Sequence, residues 1–107
     1  MFTRYEFLEL FDSESFVDEE AGIVEYFIFW NEFSFSLYIS PCEGVVILTL
    51  KHNNLENPLY DMSLRDVTFI EIVREKPNIV KLLFIDKNKK KLLTMFIKPE
   101  LSLRPNF

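Results

Sequence analysis

The stretch "EYFIFWNEFSFSLYIS", residues 25–40, holds seven aromatic rings in sixteen positions. Its second half alternates cleanly. Phe33, Phe35, Leu37 and Ile39 fall on one side of an extended chain, and Ser34, Ser36, Tyr38 and Ser40 on the other. In the first half Tyr26, Ile28 and Trp30 share one face, while Phe27 and Phe29 occupy the opposite one. Two period-two runs joined by Asn31 and Glu32 predict an antiparallel hairpin. Such sheets usually leave one face wet. A strand that is apolar on both faces needs cover on both.

Working outward, residues 45–51, 67–75, 79–86 and 91–98 read as further strands, linked mostly by short turns. Pro99 ends the last one because it lacks the N–H that a ladder requires. Residues 59–66 read as a short turn or an extended piece. At the start of the chain, Thr3 and Glu6 have the spacing of a capping box. Phe7, Leu8 and Phe11 recur at helical spacing, which predicts a helix over about residues 3–11. The acidic run that follows, through residue 22, reads as a solvated loop. The fold class expected is α+β and mainly β, a short N-terminal helix followed by about six antiparallel strands. Those strands would form a curled sheet, a sandwich or a partly closed barrel within one domain, residues 1–107. One short helix cannot cover a six-stranded sheet, so the sheet must curl or find a partner.

The net charge of −5 is unevenly spread. Residues 1–43 carry ten carboxylates against Arg4 alone, and residues 44–107 carry eleven Lys and Arg against seven acids. An acidic first half argues against nucleic-acid binding, which needs dense positive charge. It suits a basic protein partner, because opposed potentials steer encounter. The first residues lack the apolar core of an export signal, and no uncharged run is long enough to span a bilayer. The lone Cys42 fits a reducing compartment. The expectation is a cytoplasmic protein, with no membrane contact.

Chemistry-bearing motifs are few. Cys42 and His52, each the only one of its kind, flank the strand at 45–51 and so lie at opposite ends of it. A nucleophilic pair needs hydrogen-bond reach. One Cys and one His do not make a zinc site, and the acidic run lacks the residue order of a calcium loop. Gly22 and Gly44 alone cannot build a phosphate loop. The "KNKKK" cluster at 87–91 reads as a solvated hairpin turn. Neither an enzyme nor a cofactor is expected.

Binding remains. Aromatic anchors beside a charged rim suit a protein interface. The candidate protein-binding residues are Asp12, Glu14, Asp18, Glu19 and Glu20 for charge, with Tyr26 and Trp30 as anchors. Three segments add a resemblance: "LFDSESFVDEEAGIVEYFIF" (10–29), "MSLRDVTFIEIV" (62–73) and "LLTMFIKPELSLRP" (92–105). Their layout resembles small bacterial immunity proteins of polymorphic toxin systems. One such family has a Phe-His-Asp-Ala-Glu stretch where this chain has Phe16, Val17, Asp18, Glu19 and Glu20. The resemblance implies an inhibitor or immunity factor whose partner is a protein, and the charge makes that partner a basic one. Two other readings compete. One is a homodimer or other homo-oligomeric accessory protein, sealed through the aromatic strand. The other is a small binder of an apolar ligand.

Overall fold

The computed structural model describes residues 1–76 and 78–105. Its elements are one helix, α1 (Arg4–Leu10), and nine strands. In chain order these are β1 (Ser13–Asp18), β2 (Ile23–Trp30), β3 (Phe33–Ser40), β4 (Val45–His52), β5 (Tyr60–Leu64), β6 (Val67–Glu75), β7 (Ile79–Asp86), β8 (Lys91–Lys98) and β9 (Ser102–Pro105). The strands form two antiparallel sheets, β1-β2-β3-β4-β5 and β6-β7-β8-β9. No barrel closes. The chain divides into two compact units, an N-terminal one, Thr3–Arg65, and a C-terminal one made of residues 1–2 and 66–107.

In the N-terminal unit, register places large side chains in rows. Glu14, Tyr26, Leu37, Leu48 and Met62 lie side by side across all five strands. Beside them run Phe16, Val24, Ile39, Val46 and Leu64. Helix α1 covers part of this face. Phe7 is fully buried, its ring 5.2 Å from Tyr26 and 5.6 Å from Phe11. The helix starts one residue later than expected, and no capping box forms. The Thr3 side chain makes no cap hydrogen bond. Its carbonyl instead accepts from the amides of Glu6 and Phe7. Glu6 remains in the first turn, where the helix dipole favours a carboxylate.

The opposite face of β3 is not wet, contrary to its alternation. Ser36 and Ser40 are both buried. Ser36 is flanked in register by Phe27 and Thr49. Ser40 Oγ donates to Glu43 Oε1 at 2.8 Å.

In the C-terminal unit β7 is the central apolar strand, with Leu82, Leu83, Phe84 and Ile85 buried in succession. The β7–β8 turn is tied down by Asp86, whose Oδ1 accepts the amides of Asn88 and Lys90. On one face of this sheet the Phe96 ring lies between the Arg104 guanidinium, 4.9 Å from its centroid, and the Lys81 ammonium at 5.7 Å. Lys81 also pairs with Glu75 at 2.8 Å, which holds that carboxyl below its ordinary range.

Two expectations are thus corrected, for β1 and β9, and at 59–66 the extended alternative holds. The acidic segment after α1 is a strand, not a loop, because β1 needs only backbone pairing at a sheet edge and tolerates polar side chains there. The segment at 59–66 contains β5. The chain pairs once more after Pro99, through β9, whose own Pro105 closes an edge strand.

Candidate protein-binding surface

The seven residues singled out in the sequence do not form one cluster. They separate into three places along β1 and β2.

Glu14 and Tyr26 are internal. Glu14 accepts from Arg4 through both oxygens, Nε to Oε2 at 2.9 Å and Nη2 to Oε1 at 2.6 Å. It also accepts from the Tyr26 hydroxyl at 2.7 Å. The Glu14 side chain is 8% exposed, that of Arg4 57%. Arg4 holds the Glu14 carboxyl below the ordinary carboxylate range, outweighing the upward push of burial. Burial, and then the hydrogen bond to Glu14, push the Tyr26 hydroxyl in the opposite direction. Tyr26 is 0% exposed, so it forms the core and presents no surface for an anchor. Its ring is apolar and packs on α1 while its hydroxyl has a partner, which is how a tyrosine is buried at little cost.

Asp18, Glu19 and Glu20 stand exposed where β1 turns into β2. The turn is built by Gly22 N–H to the Glu19 carbonyl and by Ala21 N–H to Asp18 Oδ1, both 3.2 Å. Gly22 has φ +69°, a backbone that side chains with a Cβ adopt poorly, although a Cβ there would meet nothing within 4 Å. Gly22→Ala is therefore expected to cost about 1 kcal/mol in urea unfolding, from backbone conformation alone. A larger loss would mean that the turn is packed. The β3–β4 turn lies alongside, since Cys42 Sγ approaches the Ala21 carbonyl at 3.8 Å. It adds the exposed Glu43 to the same end of the sheet. Glu43 is not among the residues singled out in the sequence, because this neighbourhood exists only once β1 is recognised as a strand. In a meander the first and third turns then share an end.

Trp30 lies at the far end of β2, some seven residues and about 23 Å from Ile23 at the extended rise. It is 36% exposed. Asp12 belongs nearer this end, its Oδ2 accepting the Phe29 amide at 2.8 Å. The structure therefore does not join Trp30 to Asp18, Glu19 and Glu20.

Twelve of the chain's carboxylates, against Arg4, Lys51 and Arg65, belong to the N-terminal unit, a net of −9. Cys42 and His52 lie at opposite ends of β4, as the sequence implies. Among the described residues no group of three or more His, Cys, Asp and Glu is placed to hold a metal, and no helix is long and apolar enough to cross a membrane.

No family model and no curated protein matches the sequence. A solved structure matches in fold. Its description is a contact-dependent growth inhibition toxin–immunity protein complex from Klebsiella pneumoniae 342. This chain shares the fold of a chain from a toxin–immunity complex. The match covers 95% of this chain and 90% of that chain, with a TM-score of 0.70 and 21% identity. It agrees with the resemblance to immunity proteins seen in the sequence, and at that identity the likeness is one of fold.

Proposed function

We propose that the chain is a non-enzymatic protein-binding protein of the cytoplasm, an inhibitor or immunity factor that occupies a basic protein partner. The observation that carries this reading is the likeness, over nearly the whole chain, to a structure described as a toxin–immunity complex. The charge supports it independently, since an N-terminal unit at −9 favours a cationic surface and speeds its approach. Asp18, Glu19 and Glu20, with Glu43 beside them, supply the outward-facing part of that charge. Glu14 is committed to Arg4 and Tyr26 and serves the fold.

The test is capture of the tagged chain's partner from the host lysate at low and moderate salt. Binding of the purified partner is then measured with the variant Asp18→Lys, Glu19→Lys, Glu20→Lys. A basic protein bound with one-to-one stoichiometry, and an affinity at least tenfold lower in the variant, is the expected result. Unchanged affinity in a variant of normal circular dichroism would remove the acidic turn from the interface.

A further inference from the structure

The end of the N-terminal sheet away from the acidic turns carries exposed rings. Trp30 stacks on Phe33, centroids 6.0 Å apart at 20°, and Phe33 meets His52 edge-on at 4.9 Å. Register puts these three in one row, and the neighbouring row on the same face ends at Tyr60, 40% exposed on the edge strand. The β4–β5 connection adds the exposed Leu55 and Leu59.

This platform is held in place rather than loosely attached. The amides of Asn53, Leu55 and Leu59 donate to the carbonyls of Glu32, His52 and Leu50. His52 Nδ1 accepts the Asn54 amide at 3.1 Å, which leaves Nε2 to carry the proton toward Glu32 Oε2 at 3.0 Å. Rings fixed before a partner arrives lose little freedom on binding.

Its rim is negative. Glu32 and Glu56 stand exposed on the two connections at this end. Of the unit's three cations, Arg4 is paired with Glu14, Arg65 follows β5, and Lys51 alternates to the opposite face. A purely apolar partner would strip water from these carboxylates without replacing it, and an acidic one would be repelled. A guanidinium satisfies both parts, lying over a ring while its N–H groups meet a carboxylate. The same sheet already holds such an arrangement within itself. Arg4 lies 5.0 Å over the Phe16 ring while bonded to Glu14.

We infer that the Trp30 end of the sheet is the anchor point for an arginine-bearing loop of the partner protein, with the guanidinium stacked on Trp30 or Tyr60 and hydrogen-bonded to Glu32 or Glu56. The inference rests on the protein-binding reading and assigns the specific contact to the end opposite the acidic turns.

Trp30 is the only tryptophan in the chain, so its emission reports this end directly. The probe is hexa-arginine, with hexa-lysine and hexa-glutamate for comparison, followed by fluorescence and titration calorimetry. A saturable change in Trp30 emission with hexa-arginine is expected, at least threefold tighter than with hexa-lysine, and no change with hexa-glutamate. The double variant Glu32→Gln, Glu56→Gln should weaken it at least fivefold, whereas Asp18→Lys, Glu19→Lys, Glu20→Lys should leave it within twofold. Binding seen by calorimetry with silent Trp30 emission, and abolished only by the acidic-turn variant, would overturn this inference while sparing the acidic interface. Equal response to the lysine peptide would overturn the guanidinium assignment. No binding of either cationic peptide would count against both readings.

Discussion

Phe7→Ala is expected to cost about 3–4 kcal/mol, the loss of a fully buried ring. Helix α1 has seven residues, and isolated helices below about 12–15 residues are marginal in water. It must therefore be held by what it packs on. Phe7 is 0% exposed and is the one buried residue of the helix, its ring stacked on Phe11 and tilted at 59° against Tyr26. Truncation removes the ring's transfer free energy and leaves a void that a sheet cannot readily collapse into. Urea unfolding read through Trp30 emission measures the loss in this unit. Leu8→Ala, one position on and exposed, should change stability by no more than about 0.5 kcal/mol. Equal losses at the two positions would mean that the helix is not docked through Phe7.

The second large effect belongs to Glu14. Glu14→Ala removes the acceptor for the Arg4 guanidinium and for the Tyr26 hydroxyl. Arg4 is mostly exposed and water can replace its partner. The Tyr26 hydroxyl sits on a fully buried residue, so most of the expected loss of about 2 kcal/mol arises there. The effect depends on pH with a definite sign. The Glu14 carboxyl has its pKa lowered in the folded state from an ordinary value of 4.5, chiefly by the hydrogen bond from Arg4. A lowered carboxylate pKa stabilises the fold fully above the unfolded value, and that contribution is lost as pH falls through the folded one. The stability difference between the wild-type chain and Glu14→Ala should thus be constant from pH 7 to about 5 and shrink below 4.5. A difference that grows on acidification would mean that Glu14 is buried as the neutral acid.

Most of this architecture was legible in side-chain period. Residues 23–30, 33–40, 67–75, 79–86 and 91–98 were delimited as the structure has them, because Val, Ile, Leu and Phe alternate there between turn-forming residues. The three strands that were missed or left open share a different physics. β1, β5 and β9 are all edge strands, paired on one side only. Such a strand is held mainly by backbone bonds, on which "SESFVD" and "SLRP" leave little trace. The rings of residues 25–40 signal a need for cover, met on one face partly by α1, whose Phe7 packs on Tyr26. Charge at Asp18, Glu19 and Glu20 could be read directly, since exposed turns show their composition. The separate fates of Tyr26 and Trp30 could not. Both fall on the same face of β2, and only their position along the strand decides that one meets α1 and the other meets solvent.

Among the described residues all seven strand pairings join neighbours in the sequence, and that has a consequence for the order of assembly. Hairpins close short loops, so little chain entropy is lost before each new contact forms. During synthesis the strands up to Leu64 are complete before Val67 is added. The acidic turns and the Trp30 platform can therefore form while the second sheet is still unmade. The exception is the hydrogen bond from the Ile70 amide to the Met1 carbonyl. It ties the start of the chain to the second sheet, and must wait until β6 exists to supply the donor.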